Sequence, residues 1–148
     1  MSVAYDTDIY IAYKNDSRTS RTDRGVLLCT VVLHELIAGA PDRRTRDALA
    51  VLGRIAAKQG RLITPDAEDW TEAAKVLYAL RHGLKSRAKG KTPAIPAAEV
   101  QRITRDTLIA RTVRRHRATL VTNNTGDYAR IARFCRVQTE SGATHFGY

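Results

Sequence analysis

Apolar positions in this chain come in short runs whose spacing switches from the period of a strand to that of a helix and back. Val3-Ala4-Tyr5 is a β-branched and aromatic run, cut by Asp6 and Asp8 and resumed as Ile9, Ile11 and Ala12 at the spacing of a helix start. It reads as a buried strand that ends in acid. The polar stretch Asn15 to Arg24 is a loop, and Val26 to Cys29 is a second short strand. Thr30 offers an N-cap for a helix through Leu36, closed by Gly39 with Pro41 as a stop. Asp42 to Lys58 is amphipathic, with Leu49, Leu52, Ile55 and Ala56 on one face. Arg61 to Thr64 is a third strand. Thr64-Pro65 then opens a helix whose apolar stripe, Trp70, Ala73, Ala74, Leu77 and Leu80, places Trp70 in the core. Arg81 to Pro96, punctuated by Gly83, Gly90, Pro93 and Pro96, reads as a basic loop, and Ala97 to about His116 as a long helix. Thr119 to Thr122 is a fourth strand, Tyr128 to Phe134 a short helix, Val137 to Thr139 an edge strand, and Ser141 to Tyr148 a frayed tail. Alternation of this kind predicts an α/β fold with a mostly parallel sheet of four to five strands. Residues 1–140 form one domain and 141–148 its tail.

At 148 residues, with 43% hydrophobic and 27% charged, the chain suits a single globular domain. The longest apolar stretch, Val26 to Leu33, is interrupted by Thr30 and is too short to span a bilayer. No signal peptide is expected ahead of it. Cys29 and Cys135 read as small buried hydrophobes in a reducing compartment, so a cytoplasmic location is expected.

Charge narrows the choice of partner. Twenty-five Lys and Arg against fifteen Asp and Glu give +10, which favours a polyanion such as nucleic acid. From Ala73 to Ala98 there is no acid, while Lys75, Arg81, Lys85, Arg87, Lys89 and Lys91 are basic. Thr107 to Gly126 is likewise free of acids and carries Arg111, Arg114, Arg115 and Arg117. Each run alone is an ordinary solvated face; together they leave a few acids isolated in a basic surface.

Those acids recur at related places: Asp6 after the first strand, Glu35 one helical turn beyond the second, Asp106 on a helix, Asp127 after the fourth strand. Ligands bind outside the carboxyl ends of a parallel sheet, so Asp6 points into a cleft, and capping of the first helix is assigned to Asp8. Asp106 stands in the apolar stripe Ile103, Asp106, Ala110, Val113, where a carboxylate demands a partner Arg or Lys, or a metal. Asp66, Glu68 and Asp69 sit at a helix N-terminus and read as capping acids. Gathered carboxylates repel and are tolerated chiefly around a divalent cation. All-oxygen ligands suit Mg²⁺ or Mn²⁺, which activate water for attack on a phosphodiester.

Four segments carry a resemblance: Tyr5-Asp6-Thr7-Asp8, Val32-Leu33-His34-Glu35-Leu36-Ile37-Ala38-Gly39, Asp106-Thr107-Leu108-Ile109-Ala110, and Leu120-Val121-Thr122-Asn123-Asn124-Thr125-Gly126-Asp127-Tyr128. In this order, across residues 3–137, the chain resembles PIN-domain ribonucleases, specifically the VapC-like toxins of type II toxin–antitoxin pairs. The resemblance implies a three-layer α/β/α sandwich, a Mg²⁺- or Mn²⁺-dependent endoribonuclease, a homodimer and a cognate antitoxin. It carries over Asp6, Glu35, Asp106 and Asp127 as the acidic quartet, with Asp6, Asp106 and Asp127 on the metal and Glu35 holding a second ion or orienting water. Thr122 and Asn124 would support these carboxylates, and Lys85, Arg87, Lys89 and Lys91 would hold the RNA backbone. The family usually has Asn or Ser where this chain has Asp8.

Two rival readings remain. Asp6-Thr7-Asp8 resembles the Asp-x-Asp pair of haloacid-dehalogenase-type phosphatases, but Ile131 stands where a second late acid is needed beyond Asp127. A non-catalytic nucleic-acid-binding module would keep the fold and the charge; the intact acids argue against it, because a phosphate binder gains by losing them.

Overall fold

A computed structural model of the chain describes residues 2–13, 25–87 and 95–147, with 84–87 as backbone alone. In chain order the elements are β1 Val3–Tyr5, α1 Thr7–Ala12, β2 Leu28–Cys29, α2 Thr30–Ala38, α3 Arg43–Lys58 and β3 Leu62–Ile63. There follow α4 Ala67–Arg87, α5 Ala97–Arg115, β4 Thr119–Val121, α6 Thr125–Ile131, β5 Thr139–Glu140 and α7 Gly142–Phe146.

β1 is central. It pairs with β4, and β4 with β5, both in parallel. β2 pairs with β3 in parallel, and a single parallel bridge from Ala4 to Leu27 ties that pair to β1. The order β3-β2-β1-β4-β5 sets every strand's carboxyl end on one edge. Side chains alternate across a strand, and the core divides accordingly. Ala4 and Leu120 face the larger core with Val32, Val76, Ile109 and Ile131, whereas Tyr5 and Val121 face a smaller one with Ile9, Val26 and Phe146. Helices α2, α4, α5 and α6 thus cover one side and α1 and α7 the other, in three α/β/α layers.

α5 is the spine of the larger layer. Its second half is buried around most of its circumference, Ile103, Asp106 to Ala110, Thr112 and Val113 included. The two buried threonine hydroxyls are satisfied within the helix, Thr107 donating to the Ile103 carbonyl at 2.8 Å and Thr112 to that of Leu108 at 2.7 Å. A buried ion cluster pins α4 to α5. Asp69 accepts from Arg111 Nε at 3.0 Å and from Arg115, which also donates to the Thr64 carbonyl at 2.8 Å. Asp66 and Asp69 cap α4 reciprocally, each carboxylate accepting the other's backbone N–H. Burial raises the Asp69 carboxyl, but the bonds from Arg115, the Asp66 amide and Arg111 outweigh it and hold it below the ordinary range.

Several expectations give way to this packing. Asp6, not Asp8, caps α1. α2 begins at Thr30 itself with Cys29 in the cap position, and the Thr30 hydroxyl turns to Thr64 Oγ1, 3.0 Å away. Trp70 is 57% exposed, because Asp69, Ala73 and Val76 are the buried face of α4 and the arginine bonds to Asp69 set its rotation. α4 continues to Arg87, so the segment expected as a loop from Arg81 begins as helix. α6 starts at Thr125, placing Asp127 in its first turn. The expected tail is the helix α7, capped by Ser141, with Phe146 buried against Tyr5 and Tyr13. A Cβ added to Gly142 would lie 2.6 Å from the Tyr13 ring, so the approach of α7 requires glycine there.

Both cysteines are free and buried, and burial pushes the Cys29 thiol up to about 11, so it packs as a hydrophobe. No described helix is long and apolar enough to cross a membrane.

Candidate active site

Asp6 follows β1 and Thr122 follows β4, and because Tyr5 and Val121 are register partners the two residues emerge side by side. The Asp6 amide donates to the Val121 carbonyl at 3.0 Å. Thr122 Oγ1 donates to Asp6 Oδ2 at 2.8 Å, and the Tyr128 hydroxyl donates to the same oxygen at 3.1 Å. Oδ1 accepts the Thr7 amide at 2.8 Å as the cap of α1. Asp6 is 2% exposed, and this set of donors offsets the cost of holding a carboxylate there. The Thr122 oxygen also accepts the Asn124 amide at 3.0 Å. Asn124 therefore supports the site through its backbone, while its side chain is exposed.

Glu35, on α2, reaches the same edge. Its Oε1 accepts from Thr7 Oγ1 at 3.2 Å and its Oε2 from Arg105 at 3.0 Å. The Arg105 guanidinium also grips Asp106 Oδ1 through Nε at 2.9 Å and NH2 at 2.7 Å. Asp106 Oδ2 is buried without any hydrogen-bond partner. Burial pushes the Asp106 carboxyl up to about 6; Asp127 and Asp6 push the same way, and Arg105 pulls against them. The guanidinium at contact does not prevail, because the cost of burying the charged carboxylate is the largest influence and Asp127 and Asp6 add to it. Asp127 acts through space: among the described residues its carboxylate makes no hydrogen bond or ion pair.

Asp8 accepts the Asn123 amide on Oδ2 at 2.8 Å, and its Oδ1 is buried and unpartnered. Burial raises its carboxyl and the Asp6 charge adds to the rise. Of the RNA-contact candidates, Lys85 and Arg87 are described by backbone alone, and Lys89 and Lys91 lie outside the described residues.

A family model described as the PIN domain matches residues 4–134. The chain belongs to the PIN-domain family. Among solved structures, VapBC2 from Rickettsia felis bound to a promoter DNA fragment is 21% identical, with 95% of this chain and 98% of that chain covered and a TM-score of 0.53. DNA-bound VapBC from Salmonella typhimurium is 16% identical over 95% and 98% of the two chains, TM-score 0.55. FitAcB from Neisseria gonorrhoeae is 18% identical over 93% and 95%, TM-score 0.52. At these identities the likeness establishes the fold. Comparison with curated proteins finds no match.

PIN domains are generally nucleases and typically use divalent metals. In this PIN domain the donors have the chemistry for a hard cation: carboxylate oxygens only, one of them, Asp106 Oδ2, buried and without a donor. As the side chains stand, no three His, Cys, Asp or Glu among the described residues converge closely enough to hold an ion. Arg105 supplies the positive charge instead. Family membership removes the phosphatase reading; Asp8 turns one oxygen to the Asn123 amide and keeps the other buried and unpartnered.

Three participants escaped the sequence. Arg105 precedes Asp106 directly, and neighbouring residues on a helix do not share a face, so no spacing rule couples them; only the demand for a partner cation pointed that way. Tyr128 carries no pattern beyond an apolar position one turn before Ile131. Thr7 links Asp6 to Glu35 by its amide and hydroxyl, which a helix's first residue does not announce.

Proposed function

We propose that this PIN-domain protein is a divalent-metal-dependent endoribonuclease, the toxin of a toxin–antitoxin pair, cutting RNA phosphodiesters at the carboxyl edge of its sheet. The observation that carries the reading is the Asp106 carboxyl: buried, repelled by Asp6 and Asp127, and left with one oxygen that none of the described residues satisfies. Asp6, Asp106 and Asp127 would hold Mg²⁺ or Mn²⁺, directly or through water, and Glu35 would hold a second ion or orient the attacking water. Bound there, the ion polarises the phosphodiester and lowers the pKa of water. Thr122, Tyr128 and the Thr7 amide keep Asp6 in one rotamer. The +10 charge attracts the polyanion, and Lys85, Arg87, Lys89 and Lys91 would track its backbone.

The toxin assignment is supported by the VapBC and FitAcB structures among the structural neighbours. With it come a cognate antitoxin, a homodimer and a cytoplasmic site of action.

Purified protein is incubated with total RNA in Mg²⁺ and in chelator, and the ends are mapped. Discrete cuts in Mg²⁺, none in chelator and none from Asp106→Asn support the reading. A non-catalytic binding module is the second reading, favoured by the hold of Arg105 on two of the acids; it predicts RNA retention without cuts in every arm.

A further inference from the structure

Arg105 occupies an unusual position for a cation in this cleft. Its contacts span Asp106 and Glu35, which come from α5 and α2. Its contact with Asp106 is a two-nitrogen grip on a single oxygen, which leaves Oδ2 bare. The same side chain, 28% exposed, also lines a groove of about 810 Å³ beside the acids, with Glu35, His34, Pro65, Val100 and Trp70. Trp70 is 57% exposed there. A guanidinium leaving the acids therefore has open space beside it, in the groove that Trp70 also lines.

We propose that Arg105 is a built-in counter-ion that competes with the divalent cation for Asp106 and Glu35 and swings into the Trp70 groove when the ion binds. The proposal rests on the metal-dependent reading above. An ion on the bare Asp106 Oδ2 would meet the guanidinium on Oδ1 as a like charge across one carboxylate, so each weakens the other's hold. The cleft free of that repulsion is the fraction of molecules with Arg105 turned out. The apparent affinity for the ion is reduced by that fraction, about tenfold if one molecule in about ten is open.

The test is calorimetric titration of the full chain with Mn²⁺, comparing wild type with Arg105→Gln and Arg105→Lys. Gln keeps a polar side chain of similar reach without the charge, and the expected result is Mn²⁺ binding tighter by about tenfold. Lys keeps the charge and loses the two-nitrogen grip, so its affinity falls between the two. Equal or weaker binding by Arg105→Gln overturns the proposal and leaves the nuclease reading standing. No Mn²⁺ binding by any of the three proteins overturns both. Should Arg105→Gln fail to fold, the wild type reports directly. The Arg105 Nε–H resonance, assigned by its loss in Arg105→Lys, moves to the position of a solvent-exposed arginine on adding Mg²⁺, and an unmoved resonance at saturation contradicts the swing.

Discussion

Thr122 stands 116 residues beyond Asp6 in the chain and donates to it at 2.8 Å, a contact made possible because β1 and β4 are parallel neighbours ending in step. The same oxygen receives the Asn124 amide, so one hydroxyl serves both the acid and the turn into α6. Thr122→Val keeps the shape and removes both bonds, one to a buried charge-bearing group. A loss of about 2–4 kcal/mol in urea unfolding is expected, together with a fall in RNA cleavage. An unchanged midpoint would show that water replaces the hydroxyl.

Tyr128→Phe is the milder companion. It retains the buried ring and removes one donor from Asp6 Oδ2, leaving Thr122 in place. The expected cost is about 1–3 kcal/mol by the same measurement. Burial and the charges of Asp6 and Asp106 hold the Tyr128 hydroxyl well above its ordinary value, so it stays a donor across the working pH range.

Asp69 provides the control for charge without chemistry. It is 1% exposed and binds Arg111 and Arg115 away from the cleft acids. Asp69→Ala strands two arginines and breaks the cap of α4, and about 3–5 kcal/mol of stability should go. Cleavage by the fraction still folded at low temperature is expected to match wild type.

The Asp106 carboxyl gives the metal-free protein a pH signature. The unfolded chain releases its proton near 3.8, the folded chain near 6, so between those values the folded state binds more protons. Stability from this group is then complete below the lower value and is lost as pH rises through the upper one. Asp69, held low, works in the opposite sense, losing its contribution as pH falls. The difference between wild type and Asp106→Asn removes such shared terms. From pH ~6 down to pH ~4 wild type should gain on the variant by up to about 3 kcal/mol. Urea midpoints across that range check it, and a flat difference contradicts the buried, repelled carboxyl.

Phe146 tests the closure of the second core. It packs on Tyr5 and Tyr13 with ring centroids 5.8 and 4.5 Å apart. Phe146→Ala should cost about 3 kcal/mol and lower the thermal midpoint.

The sheet, its parallel sense and the place of Asp6 were legible because each is a local pattern: an apolar run, then, after β1, an acid at the end of the strand. α7 was not, since its burial depends on Tyr5 and Tyr13 meeting Phe146 from the far end of the chain, and an apolar-poor terminal segment gives no period to detect. Trp70 failed differently. Helical spacing fixes a stripe only to within a residue, and the choice between Trp70 and Asp69 as the inward position was decided by Arg111 and Arg115, over forty residues away. Capping by Asp6 rather than Asp8 was undecidable locally, because the Asn123 amide that engages Asp8 comes from β4's far end.

The central claim is that acids from four separate segments form one cation site. Crystals soaked in Mn²⁺ and measured at the manganese edge test it most directly. An anomalous peak within coordination distance of Asp106 Oδ2, shared with Asp6 or Asp127, is the predicted result. A crystal saturated with Mn²⁺ that shows no peak there, with Arg105 still clasping Asp106 and Glu35, would contradict it.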